Sequence, residues 1–159
     1  MVAAGRDADG LRRATERGAD RTVDLSTLTS ENSVADMTAA FRDAADGGVD
    51  VVVDPLWGDP AVAALSAANP YGRLVQIGSS AASEVTLSPD AFRPSSASIL
   101  GYTTGSVPFE ARREAYTLMT DYAVDGDIVV DSERVPLREV ASAWERQAFS
   151  THHKLVLVP

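Results

Sequence analysis

The chain has 159 residues, a formal net charge of -9 at pH 7 and no cysteine, and 45% of its residues are hydrophobic. This composition predicts one globular domain with a buried core. The negative charge argues against general affinity for nucleic acid or an anionic membrane. The lack of cysteine excludes disulfides, a thiolate nucleophile and a thiolate zinc site within these residues. With no apolar run of spanning length and no signal-peptide pattern, we expect a cytoplasmic protein.

The first part of the chain predicts two short strands and two helices. Residues 1–5 form an apolar run that ends in glycine, and Asp7 offers an N-cap for a helix that ends at Gly18. Residues 21–25 predict the second strand. A further helix begins near Ser33, and its buried face consists of Val34, Met37, Phe41 and Ala44.

The middle of the chain alternates strands with helices. Residues 49–54 contain a continuous run of valines, which predicts a central strand covered by helices on both faces. A helix begins at 59–60, where proline follows aspartate, and residues 72–78 form the next strand. This alternation implies parallel pairing. The serine-rich segment 79–98 predicts a long loop that lines a site or covers an interface.

The last third of the chain predicts shorter elements. They are a strand at 99–103, a helix at 109–123, a short strand at 128–130, a helix after Pro136 and a closing strand at 155–158.

Three strand ends are candidates for a ligand site, because the carboxyl edge of a parallel sheet forms the ligand crevice. For Gly78, the alternatives are a close backbone approach to a bound cofactor and a simple turn at the strand end. Tyr102 is either a proton donor or a buried tyrosine with a satisfied hydroxyl. The candidates are Asp54, Pro55, Leu56, Ile77, Gly78, Ser79, Gly101, Tyr102 and Thr103.

The first strand end carries a second signal. In a nucleotide-binding sheet, an acid in this position accepts hydrogen bonds from an adenosine ribose, but the spacing puts Gly5 there. Arg6 follows, and its guanidinium can pair with two phosphate oxygens, which favours NADP(H) over NAD(H). The alternative is a surface arginine paired with Asp7 or Asp9. The chain contains no Gly-x-Gly-x-x-Gly motif for the pyrophosphate.

Other chemistry is poorly supported. His152 and His153 are the only histidines, so a solvent-facing turn is favoured over a zinc site and we predict no metal. Lys154 is the only lysine and follows a histidine, which excludes a Walker A loop and a Tyr-x-x-x-Lys pair. A receiver domain would use Asp54 after a central strand, but its other acids and its lysine have no counterparts here.

Taken in order, eight segments resemble the medium-chain dehydrogenase/reductase superfamily, with the zinc-independent quinone oxidoreductase-like group as the nearest branch. These segments are residues 2–7, 18–20, 49–55, 72–78, 100–103, 135–137, 143–145 and 154–159.

The resemblance implies a parallel Rossmann-type α/β sheet with helices on both faces, lacking its first strand and glycine-rich loop. Residues 1–126 would be this partial nucleotide-binding domain, and 127–159 the tail of a GroES-like catalytic domain. The complete enzyme would transfer hydride from NADPH to a quinone, enone or similar carbonyl. Gly5 and Arg6 would meet the 2'-phosphate, and Lys154 would lie near the pyrophosphate. Catalytic residues are not identified.

Two further expectations concern assembly. The resemblance implies a homodimer through the strand near 99–103, and the chain alone should show weak or no turnover. The alternatives are a non-catalytic dimerisation module and a fragment of an ordinary enzyme. A missing first strand would leave the inner edges of strands 2–5 and 49–54 unpaired. We expect these two strands to pair directly, while dimerisation and binding of a partner fragment remain the other solutions.

Overall fold

The computed structural model describes residues 1–28, 33–149 and 153–159. These residues divide into two compact units, Met1–Thr103 and Thr104–Pro159. The first unit contains β1 (Val2–Gly5), α1 (Ala8–Glu16), β2 (Arg21–Asp24), α2 (Ser33–Ala44), β3 (Val49–Asp54), α3 (Asp59–Ser66), β4 (Ala68–Gln76) and β5 (Ser98–Gly101). The second contains α4 (Phe109–Asp125), β6 (Ser132–Pro136), α5 (Val140–Ala148) and β7 (Lys154–Val158).

The strands of the first unit form two parallel sheets. One contains β1 and β2, and the other has the order β3-β4-β5. Asp7 caps α1 as predicted, because its carboxylate accepts a hydrogen bond from the Gly10 amide. The predicted parallel α/β class is confirmed, since every strand pair described is parallel.

The predicted direct pairing of strands 2–5 and 49–54 is wrong. Among the described residues, β1 pairs with β2 alone and β3 pairs with β4 alone. The central position predicted for residues 49–54 is wrong as well, because β3 is an edge strand. Val51 and Val53 are 52% and 63% exposed. A run of valines predicts burial on two faces, but only one face of β3 is covered here.

One hydrophobic core joins the two sheets of the first unit. Helices α2 and α3 pack against each other, and the predicted stripe of α2 lies in this core. Val2 of β1 and Val52 of β3 both pack against it, so the helices hold the sheets together although the sheets are not hydrogen-bonded to each other. The buried members are Val23, Leu25, Met37, Phe41, Ala63, Ala64 and Ala67.

The second unit is built on one strand pair. β6 and β7 run parallel from Ser132 opposite Lys154 to Pro136 opposite Val158, and α5 contacts both strands. The predicted strand at 128–130 is wrong, because the strand lies at Ser132–Pro136. Because β6 contains charged residues, its hydropathy pattern does not predict a strand. The strand is defined by its parallel pairing with β7. No residue of α4 is buried.

Candidate functional site

A cleft of about 1420 Å³ opens in the first unit between β1 and β3. Its walls come from β1 and Arg6, from β3 and the turn after it, and from the segment at 80–86. Five predicted site residues line it together: Gly5, Arg6, Asp54, Pro55 and Leu56.

Asp54 organises the turn after β3. Asp54 is 5% exposed, and its carboxylate oxygen Oδ1 accepts hydrogen bonds from the amides of Leu56 at 2.9 Å and Trp57 at 3.1 Å. The other oxygen, Oδ2, also accepts from the Trp57 amide, at 3.2 Å. Trp57 has a φ of 60°, which is unusual for a residue with a Cβ, and Gly58 follows with a φ of 74°. The carboxylate therefore holds a left-handed turn that leads into α3, and its hydrogen-bonding capacity is directed at the backbone.

The segments after β3 and β4 are joined by main-chain hydrogen bonds. The Pro55 carbonyl accepts from the Ser80 amide at 3.1 Å, and the Leu56 carbonyl accepts from the Ala81 amide at 2.8 Å. A Cβ at Gly78 would lie 3.0 Å from the Pro55 carbonyl oxygen. The glycine therefore lets this backbone approach its neighbour closely, a structural reason that neither sequence alternative contained.

Arg6 is exposed where the chain leaves β1. The alternative interpretation expected an ion pair with Asp7 or Asp9. Asp7 instead pairs with Arg13 at 3.4 Å and Asp9 with Arg12 at 3.3 Å. No ion pair between Arg6 and a described carboxylate is present, so its guanidinium is available on the cleft wall.

The remaining candidates lie elsewhere. Tyr102 is 48% exposed rather than buried, and its amide donates to the Gln76 carbonyl at 3.0 Å. Lys154 begins β7 in the second unit. Sequence reasoning missed the wall residues of the loop after β4, although the length of that loop was a signal for a site. Outside the cleft wall are Ile77, Gly78, Ser79, Gly101, Tyr102 and Thr103. The missed residues are Ser80, Ala81, Ala82, Glu84, Val85 and Thr86.

A polar cluster stabilises the second unit. Arg146 donates to both carboxylate oxygens of Glu133, one at 2.9 Å, and His153 lies 3.3 Å from the same carboxylate. The bond from Arg146 lowers the pKa of Glu133, and the neighbouring histidine lowers it further. His152 lies outside the described residues, and no cluster of three or more possible metal ligands occurs within them.

A family profile described as "Zinc-binding dehydrogenase" matches residues 13–157, which is most of the chain. The chain belongs to the zinc-binding dehydrogenase family. The predicted resemblance to medium-chain dehydrogenases and reductases is confirmed. None of the curated proteins compared with this chain matches it.

Solved structures share the fold at low sequence identity. AibC is 24% identical with a TM-score of 0.80, and the match covers 99% of this chain and 41% of AibC. A quinone oxidoreductase of Pseudomonas syringae pv. tomato DC3000 is 23% identical with a TM-score of 0.75, covering 99% and 48%. Mycobacterial Rv1454c, solved with NADPH, is 19% identical with a TM-score of 0.79, covering 99% and 48%.

The chain thus spans less than half the length of each of these three proteins. Across the described ranges, none of its helices combines the length and the apolar character needed to cross a membrane.

Proposed function

We propose that residues 1–159 form part of an NADP(H)-dependent oxidoreductase. In its complete form, this enzyme reduces a quinone, an enone or a similar carbonyl compound without zinc. Family membership supports the oxidoreductase class. One of the similar proteins is a quinone oxidoreductase, and another was solved in complex with NADPH. When bound, the cofactor supplies a hydride, and the substrate takes a proton from the solution to complete the reduction.

The observation that carries the cofactor proposal is the state of Arg6. Gly5 stands where a ribose-binding acid would repel a 2'-phosphate, and the adjacent guanidinium has no described carboxylate partner. Both residues line the cleft, so an anionic group can reach them without breaking an existing ion pair. Arg6 would hold the 2'-phosphate, and the turn that follows β3 would form another part of the cofactor wall.

The proposed cofactor contacts in the turn after β3 are held in place by hydrogen bonds within the first unit. Pro55 and Leu56 lie in a turn held by Asp54 and by the segment after β4. We also propose cofactor contacts for residues 77–79, residues 101–103 and Lys154. The assignment of 1–126 to a Rossmann domain and of 127–159 to a catalytic domain is likewise a proposal, as is weak or absent turnover by this chain alone.

Binding of NADPH and NADH, measured by calorimetry, tests the Arg6 assignment. Loss of a charge-assisted hydrogen bond costs about 1.5–3 kcal/mol, so Arg6→Ala should weaken NADPH binding by about 10- to 100-fold. NADH binding should be unchanged. Arg134→Ala removes another exposed arginine, in the second unit, and serves as the matched control. Equal affinity of the unaltered chain for NADPH and NADH, or binding of neither, contradicts the assignment.

A second candidate function is a non-catalytic module that dimerises through β5. The outer edge of β5 is unpaired among the described strands, and all four of its residues are exposed, including Leu100 at 46%. Light scattering with and without NADPH separates the candidates. A dimer that is indifferent to NADPH and is broken by Leu100→Lys supports the module, and a monomer excludes it.

A further inference from the structure

Asp7 is the acid next to Arg6 in the chain, and its carboxylate is bound to the start of α1. The Oδ2 oxygen accepts a hydrogen bond from the Gly10 amide at 3.0 Å. Arg13, on the following turn of the helix, donates from its Nη2 atom to the same oxygen at 3.4 Å. Gly5 and Arg6 line the cleft, whereas Asp7 does not. The negative charge of Asp7 is therefore held on the helix and outside the cleft wall.

The ion pair of Asp7 with Arg13 is more sheltered from water than the neighbouring pair of Asp9 with Arg12. The side chains of Asp7 and Arg13 are 29% and 28% exposed. Those of Asp9 and Arg12 are 75% and 59% exposed. Water and salt screen an exposed pair more strongly than a sheltered one. Arg13 therefore restrains its aspartate more firmly than Arg12 does.

Gly10 makes room for this arrangement. A Cβ on Gly10 would lie 2.9 Å from the Oδ2 atom of Asp7, which is too close for non-bonded atoms. The carboxylate reaches the first turn of α1 because residue 10 has no side chain. The amide of Gly10, the guanidinium of Arg13 and the space at residue 10 thus act together on one carboxylate oxygen.

A carboxylate of Asp7 released from α1 would act directly on Arg6. The Cα atoms of neighbouring residues are about 3.8 Å apart, so a released aspartate side chain is within reach of the adjacent guanidinium. A carboxylate pairs with both arms of a guanidinium as a phosphate does, and its charge repels a phosphate. Released in this way, Asp7 would occupy Arg6 and make the cleft wall less attractive to an anion.

We propose that Arg13 is a positioning residue for cofactor selection: by holding the Asp7 carboxylate on the first turn of α1, it leaves Arg6 to bind the 2'-phosphate of NADP(H). The inference rests on the proposed function, because it requires Arg6 to be the phosphate ligand. It adds that the preference for a phosphorylated ribose depends on a residue that acts through Asp7. Gly10 supports the same arrangement without contributing a charge.

The probe is adenosine 2'-monophosphate, which contains only the adenosine end of the cofactor and the 2'-phosphate, and adenosine is its uncharged reference. Each is titrated into the 159-residue chain while the amide resonances of Gly5 and Arg6 are followed by NMR. The unaltered chain should bind the phosphate more tightly than adenosine, and Arg6→Ala should remove this difference. Arg13→Gln should weaken binding of the phosphate about two- to fivefold, the range for loss of a partly exposed ion pair, and leave adenosine binding unchanged.

A double-mutant cycle separates positioning of Asp7 from simple loss of a positive charge. Asp7→Asn keeps an N-cap but has no charge to release, so Arg13→Gln should have little effect in that background. Gly10→Ala displaces the carboxylate without removing any charge and should weaken binding of the phosphate as much as Arg13→Gln does. Arg13→Lys keeps the positive charge and should retain most of the affinity. Arg134→Gln removes an exposed arginine from the second unit and is the matched control, which should change nothing.

The outcomes distinguish failure of this inference from failure of the proposed function. If the unaltered chain binds both probes equally, or if Arg6→Ala has no effect, the assignment of Arg6 fails and the role of Arg13 fails with it. If Arg6→Ala weakens binding of the phosphate but Arg13→Gln does not, only the positioning role is overturned. The same conclusion follows if Arg13→Gln weakens binding equally with aspartate and with asparagine at position 7.

Discussion

Replacement of Asp54 tests how the turn at the cleft is held. Asp54→Ala removes the acceptor for the amides of Leu56 and Trp57 and leaves both without a partner in a partly buried turn. Hydrogen bonds to a charged group contribute about 1.5–3 kcal/mol each, and the two here share one oxygen, so we expect a total loss of about 3 kcal/mol. The left-handed backbone of Trp57, which costs about 1 kcal/mol, would then be unsupported.

Asp54→Asn keeps one oxygen acceptor and removes the negative charge. Both amides reach Oδ1, at 2.9 and 3.1 Å, so an asparagine oxygen in that position can accept both hydrogen bonds, but the asparagine NH2 group cannot replace Oδ2, which accepts from Trp57 at 3.2 Å. We expect a loss of about 1–2 kcal/mol, for the charge and for this third hydrogen bond. Asp50→Ala is the control. Asp50 is an exposed aspartate of the same strand, and its carboxylate accepts from the half-buried Asn69 side chain at 3.0 Å, so its loss should cost under about 0.5 kcal/mol.

Native-state hydrogen exchange of the slowest amides in β3 and β4 gives the free energy of unfolding of the first unit. The expected order of destabilisation is Asp54→Ala, then Asp54→Asn, then Asp50→Ala. If Asp54→Ala costs no more than Asp50→Ala, the carboxylate does not hold the turn. If the asparagine and alanine variants are equally destabilised, the oxygen shared by the two amides does not by itself stabilise the turn.

Three further predictions concern the core, the loop contact and pH. Leu65 is 2% exposed, so Leu65→Ala should lower the free energy of unfolding by about 2–5 kcal/mol in urea denaturation. Gly78→Ala places a Cβ 3.0 Å from a backbone oxygen and should cost about 1–3 kcal/mol, whereas Gly101→Ala meets no atom within 4 Å and should change little by the same assay. Arg146 lowers the pKa of Glu133 in the folded chain, so the ionised carboxylate stabilises the fold at pH values above its ordinary pKa of about 4.5. This stabilisation is lost as the pH falls through the lower pKa of the folded state. Arg146→Gln should raise the pKa of Glu133 towards 4.5 in a carboxyl NMR titration, and an unchanged pKa would show that the pair does not form in solution.

Local patterns in the sequence were sufficient for most elements of the first unit. The apolar spacing of Met37 and Phe41 predicted the buried face of α2, and both are buried. Asp7 predicted the N-terminus of α1, and Gly5 and Arg6 were recognised as a candidate pair before their position on the cleft was known. These signals are local, because a helix face, a cap and a strand end depend on residues close in the chain.

Other features depended on contacts between distant residues. The valine run at 49–54 predicts that a strand forms, but the pairing of that strand in the folded chain makes it an edge strand with Val51 and Val53 exposed. Hydropathy cannot report which strands meet, because pairing depends on partners remote in sequence. For the same reason the sequence determined the parallel α/β class, whereas the shared core of α2 and α3 decided that β1 and β3 stand on either side of an open cleft.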